Sequence, residues 1–144
     1  MQDVIIKEEK FKHPIDKVWN AITQAEEISK WFIDADFKPE PGSAYVFTAP
    51  PEQNCTQITG VVKVATPYTL IYTWVMQNTD VETTVKWTLE EEGDYTVLHL
   101  EHSGISNYEG ETAVKMFESY SGGWLNCVTE LSAYLNKLEH AGAN

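Results

Sequence analysis

From residue 3 to residue 12 the side chains alternate, with Val4 and Ile6 on one face and Ile5, Lys7 and Glu9 on the other. That period of two predicts a strand ending at His13-Pro14. The period then lengthens: Ile15, Val18, Trp19 and Ile22 recur at helical spacing after Pro14, a residue preset for a first helical turn, so a short helix is expected over 14–22. A second is expected over 25–32, where Ile28, Trp31 and Phe32 share a face. Pro39, Pro41 and Gly42 break the chain, and strands are predicted over 43–49, 56–66, 69–77, 81–91 and 94–103. Turn chemistry separates them: Pro50-Pro51 with Asn54, Pro67, Asn78 with Asp80, and Gly93-Asp94. In 81–91, Val81, Thr83, Val85, Trp87 and Leu89 oppose Glu82, Thr84, Lys86, Thr88 and Glu90, and 69–77 repeats the pattern with Leu70, Tyr72, Trp74 and Met76. One buried and one wet face indicates an antiparallel sheet.

Beyond residue 110 helical spacing returns. Ala113, Phe117, Tyr120, Trp124, Val128, Leu131, Leu135 and Leu138 advance in steps of three and four and form one stripe of a long helix. Gly122-Gly123 lies inside it, at about 1 kcal/mol per glycine relative to alanine, so close backbone packing or a kink is expected there. The element order predicts an α+β fold, a curved antiparallel sheet whose apolar face only the C-terminal helix is long enough to cover.

The 144 residues predict one domain over 1–144, large enough to bury roughly 68% of its unfolded surface without staples. Ten Lys+Arg against 22 Asp+Glu give a net charge of −12, a field that repels phosphate backbones and anionic membranes, so nucleic acid is not an expected partner. The N-terminus lacks a signal-peptide apolar core, and no apolar run approaches the ~18 residues that span a bilayer. A cytoplasmic protein with reduced thiols is expected. Asn54-Cys55-Thr56 has the form of a glycosylation sequon and is read as chance.

Cys55 and Cys127 are single and far apart, which writes neither a redox motif nor a cysteine zinc site. His99-Leu100-Glu101-His102 offers three ligating types in four residues, but a strand sends neighbours to opposite faces: His102 points inward with Leu98 and Leu100, His99 and Glu101 outward. No metal and no cofactor are expected. His102 has two readings, a structural hydrogen-bonding group at the strand end or a polar group at a pocket mouth. Nucleophile elbow, phosphate loop and His-Glu-x-x-His motifs are all missing from the sequence. Asp34 and Asp36 are read as a solvated loop pair rather than an acid/base pair, and Glu90-Glu91-Glu92 as a charged hairpin tip. Cys127 is expected to act as a small hydrophobe, His13 as helix-start packing and His140 as exposed tail. Trp74 and Trp87 on the strands, with Tyr120 and Trp124 on the helix, are either plain core or the walls of a pocket.

The pieces His13-Pro14-Ile15 through Val18-Trp19-Asn20-Ala21-Ile22-Thr23, Trp31-Phe32, Pro41-Gly42 and Gly60-Val61-Val62 recur together in one known order. Leu70-Ile71-Tyr72-Thr73-Trp74, Thr96-Val97-Leu98-His99-Leu100-Glu101-His102-Ser103-Gly104, Gly123-Trp124, Leu131 and Tyr134-Leu135 continue that order. With them the chain resembles the START-like, birch-pollen-allergen-like superfamily, and within it the homologues of the activator of the heat-shock protein 90 ATPase. The resemblance implies a helix-grip fold with an apolar cavity between sheet and helix; members of the superfamily carry lipids, bind hormones or cyclise polyketides. A small apolar ligand is the expected partner, and Trp31, Tyr72, Trp74, Trp87, His102, Phe117, Tyr120 and Trp124 are the expected ligand-binding residues. A cyclase- or hydratase-type enzyme moving protons with His102 or Tyr72 is the first alternative. A module modulating a chaperone ATPase is the second, and a second copy of the chain is a further candidate partner. A dry 300 Å³ void would cost about 7 kcal/mol, as much as the stability of many domains, so such a cavity must be wet, filled or collapsed.

Overall fold

The computed structural model describes residues 4–50, 56–77 and 79–142, with the backbone alone for 138–142. Residue 3, the Pro51 and Asn54 turn residues, Cys55 with its sequon, Asn78 and the side chains of Leu138 and His140 lie outside the described residues. In chain order the elements are β1 (Ile5–Phe11), α1 (Ile15–Thr23), α2 (Ala25–Trp31), β2 (Asp34–Asp36), β3 (Ala44–Thr48), β4 (Gln57–Thr66), β5 (Thr69–Met76), β6 (Glu82–Glu92), β7 (Tyr95–Ser103) and α3 (Gly110–Gly142). A single 3₁₀ turn, Ile105–Asn107, joins β7 to α3. Among the described residues seven strands form one curved antiparallel sheet in the order β1-β7-β6-β5-β4-β3-β2.

The alternation along β6 becomes burial: Thr83, Val85, Trp87 and Leu89 face the core, while Glu82, Lys86 and Glu90 face water. Strand β5 supplies Leu70, Tyr72 and Trp74 to the same face, with Leu70 opposite Trp87 and Trp74 opposite Thr83. Strand β7 adds Leu98, Leu100 and His102. Pro14 sits at the N-cap of α1, and its carbonyl accepts from the Lys17 and Val18 amides. At the β6–β7 tip Gly93 takes φ 61°, the left-handed conformation a tight two-residue turn demands, so Glu92 can oppose Tyr95.

One expectation fails at the sheet edge. Asp34–Asp36 forms a strand of its own on β3, Asp34 opposite Thr48 and Asp36 opposite Val46, with both aspartates exposed. The three residues are too few to show a period in sequence, and it is the pairing partner that makes them a strand. Strand β4 is irregular between Val62 and Val64. Beside that irregularity Gly60 is indispensable, because a Cβ there would lie 2.1 Å from the Thr73 carbonyl oxygen and 2.7 Å from the Tyr45 ring. The absent side chain lets the Tyr45 hydroxyl donate to that same carbonyl.

Helix α3, 33 residues and about 50 Å long, lies across the sheet and buries Ala113, Tyr120, Trp124, Cys127, Val128, Leu131 and Leu135. Phe117 is only half-buried. The helix runs unbroken through Gly122-Gly123, and no heavy atom lies within 4 Å of where a Cβ would stand at either position. The expected close backbone packing is therefore not what holds these glycines in the helix. No described helix is long and apolar enough to cross a membrane.

Candidate functional site

Alternation on three neighbouring strands delivers aromatic rings to one face, and α3 brings more from above. Trp124 is their hub, with its ring centroid 5.2 Å from Trp74, 5.8 Å from Trp87, 5.8 Å from His102 and 6.1 Å from Phe32. A buried ring with a polar tip needs a partner for that tip, and here each indole finds one. Trp124 Nε1 donates to His102 Nδ1 at 2.8 Å, Trp87 Nε1 to the Tyr72 hydroxyl at 3.0 Å, Trp31 Nε1 to the Ala21 carbonyl at 2.8 Å and Trp74 Nε1 to the Tyr120 hydroxyl at 3.3 Å.

These bonds fix the state of His102. An indole N–H can only donate, so Nδ1 carries the lone pair and Nε2 the proton. Nε2 then donates to Thr83 Oγ1 at 2.7 Å, and the threonine passes its own proton to the Trp74 carbonyl at 3.2 Å. His102 is fully buried, and desolvation pulls its pKa down to about 3. It is neutral, with no lone pair free to take a proton. Of its two readings the geometry is that of the structural hydrogen-bonding group, set behind the aromatic rings rather than at a pocket mouth. Burial likewise pushes the Tyr72 phenol up, and its oxygen already accepts from Trp87. Neither His102 nor Tyr72 lines the cavity beside the rings.

A cavity of about 280 Å³ opens to one side of the hub. Its walls are Phe32 and Ile33 after α2, Ala49 after β3, Thr56 and Ile58 at the start of β4, and Trp74 and Met76 at the end of β5. Ser119, Tyr120, Gly123 and Trp124 complete it from α3. Of the eight expected ligand-binding residues, Trp74, Tyr120 and Trp124 stand in this wall. Trp31, Tyr72, Trp87 and His102 do not; they form the packed layer behind it, where Trp31 meets Trp87 edge-on at 6.5 Å. Phe117 packs half-buried on α3 and is also not part of the wall.

Sequence reasoning passed over Phe32, Ile33, Ala49, Thr56, Ile58, Met76, Ser119 and Gly123 as wall residues. Only Gly123 carried a signal in sequence, the helix weakening that any mid-helix glycine brings. Cys127 is buried with its thiol pushed up by desolvation, a small hydrophobe as its position suggested. His13 is buried, its Nε2 3.0 Å from Asn136 Oδ1, and it borders a second, polar cleft of about 330 Å³ with Asp16, Glu91 and Asp94. Among the described residues no group of three or more His, Cys, Asp or Glu side chains could hold a metal ion.

An antiparallel sheet gripping one long C-terminal helix, with a cavity between them, defines a helix-grip protein of the START-like class. Within that class the chain belongs to the family described as Activator of Hsp90 ATPase homolog 1-like protein, whose model matches residues 12–136. Comparison with curated proteins finds no match. Among solved structures, the chain is similar to protein MLL2253 from Mesorhizobium loti, at 26% identity and a TM-score of 0.82, covering 93% of this chain and 97% of that one. It is similar to BH1534 from Bacillus halodurans, at 28% identity and 0.75, covering 94% and 97%. CalU16 from Micromonospora echinospora matches at 26% identity and 0.75, covering 92% of this chain and 75% of that one.

Proposed function

We propose that this chain binds a small, uncharged apolar ligand in the cavity between the sheet and α3. The observation that carries the reading is Gly123. It sits mid-helix at about 1 kcal/mol below alanine, has no neighbour within 4 Å of a Cβ, and faces the cavity. Stability alone would place a side chain there; an open cavity requires that there be none.

Size and charge narrow the ligand. A dry apolar cavity of 150 Å³ is enough for benzene, so about 280 Å³ suits a frame of roughly two fused rings or a short branched chain. Among the described residues no Lys or Arg lines the wall, and a chain of net charge −12 disfavours anions. A closed, dry void of this volume would cost about 7 kcal/mol. Exposed Ser119 and Gly123 on the rim give it to solvent or to a ligand instead.

The test uses the neutral fluorophore 2-(dimethylamino)naphthalene and the variant Gly123→Leu. Wild-type protein is expected to bind about one equivalent with quenching of tryptophan emission. The leucine should raise the melting temperature by a few degrees through helix propensity while weakening the probe about tenfold or more, a loss of about 1.4 kcal/mol. No binding to wild type, or equal binding to a well-folded Gly123→Leu, rejects the reading.

A further inference from the structure

The hydrogen bonds around Tyr120 leave one proton over. Its hydroxyl oxygen receives the Trp74 indole N–H at 3.3 Å and lies 2.9 Å from the Tyr108 hydroxyl. Both phenols are buried, at 8% and 5% exposure, and no other described residue bonds to either hydroxyl. Trp74 can only donate, so the two phenols hold two protons and have one bond between them to use.

Two arrangements exist. If Tyr120 donates to Tyr108, the Tyr108 proton is stranded inside the protein, at the full desolvation penalty of a buried orphan donor. If Tyr108 donates to Tyr120, both lone pairs of Tyr120 are filled and its own proton is the spare one. Tyr120 lines the cavity and Tyr108 does not, so only the second arrangement offers the spare proton an acceptor.

We infer that the Tyr120 hydroxyl is the polar anchor of the cavity and that the ligand is an apolar molecule carrying a neutral hydrogen-bond acceptor, a ketone, ester or ether oxygen. The inference rests on the cavity reading above and adds a chemical class to it. Of the other polar tips near the wall, Trp124 donates to His102 and Trp74 to Tyr120 itself, while Thr56 is only half-buried and Ser119 stands at the exposed rim. Burial pushes the Tyr120 phenol up, so it stays a donor throughout the physiological range.

The experiment compares 2-acetylnaphthalene with 2-isopropenylnaphthalene, which replaces the carbonyl oxygen by a CH₂ of nearly the same shape. Wild-type protein is expected to prefer the ketone by about two- to tenfold, the worth of one net hydrogen bond. Tyr120→Phe should bind both compounds without preference. In wild type the carbonyl stretch of the bound ketone should fall below its frequency in an apolar solvent, a readout that needs no variant if Tyr120→Phe fails to fold. Equal binding of the pair, an unshifted carbonyl stretch, or a preference that survives in Tyr120→Phe overturns the anchor while leaving the cavity reading intact. Binding of neither compound rejects both.

Discussion

Residues 124–135 of α3 close the sheet beneath them, whereas Ser119 and Gly123, on either side of the buried Tyr120, leave it open. In the closed half Cys127, Val128, Leu131 and Leu135 are all at 4% exposure or less. Every indole and imidazole nitrogen below has its partner, from Trp87 on Tyr72 to His102 between Trp124 and Thr83. In the open half the sheet offers the same kind of residue, Trp74 with a polar tip, but the helix offers Ser119 and Gly123. The strands carry aromatic rings on both sides of Trp124, Trp74 on one and Trp87 with Tyr72 on the other. The size of the helix side chain therefore decides whether aromatic wall becomes core or cavity, and the Tyr120 hydroxyl lies on the side where the helix recedes.

The largest expected effects break the closed half. Trp124 borders both halves, and Trp124→Ala removes a full indole and strands the His102 lone pair, at about 3–5 kcal/mol. Urea denaturation should show that loss, and the enlarged cavity should alter the affinity of the naphthyl fluorophore. Leu131→Ala, inside the closed half, should cost about 2–5 kcal/mol and leave probe affinity as it was. A Leu131→Ala protein whose affinity shifts as far as that of Trp124→Ala would show that the two halves are not separate.

Acid sharpens the same contrast through His102. Its folded pKa of about 3 lies below the ordinary value of 6.5, so between those pH values the unfolded chain binds the extra proton and acid favours unfolding. The stabilisation is complete above pH 6.5 and is lost as pH falls toward 3, by about 3 kcal/mol between pH 6.5 and pH 4. Stability profiles of wild type and His102→Gln should therefore converge in acid, the wild type giving up its advantage. Parallel profiles over that window would mean that His102 is not held neutral by burial.

What the sequence made legible follows from what a period can encode. Alternation in 69–77, 81–91 and 94–103 placed Tyr72, Trp74, Thr83, Trp87 and His102 on the inner face, and the helical stripe named Tyr120, Trp124, Leu131 and Leu135. Periodicity says in or out; it does not say how far along the sheet a helix keeps contact. Trp87 and Trp74 therefore looked equivalent, although one is packed under the closed half and the other walls the cavity. The residues after α2 and at the β3 and β4 ends were out of reach for a second reason. Phe32, Ile33, Ala49 and Thr56 come to the cavity from loop-proximal positions set by sheet order, which no local pattern records. Phe117 fits the stripe yet is only half-buried, while Ala113, one turn nearer the start of α3, is fully buried, and periodicity does not tell the two apart.

The smallest expected effects separate two neighbours. Gly122 and Gly123 share a helix, an exposed backbone and free space around a would-be Cβ, but only Gly123 stands in the cavity wall. Alanine at either position should stabilise the fold by about 1 kcal/mol through helix propensity and a less flexible unfolded chain. Chemical denaturation would read both gains. The probe should then distinguish them: Gly122→Ala binds as wild type does, while Gly123→Ala, with one methyl in the cavity, binds measurably more weakly, though less so than Gly123→Leu. Equal weakening by both alanines would make the stiffness of α3, rather than the space beside Gly123, the property that keeps the cavity open. A helix that must flex to admit its ligand would lose affinity at either glycine, and one that only has to be bare would lose it at Gly123 alone.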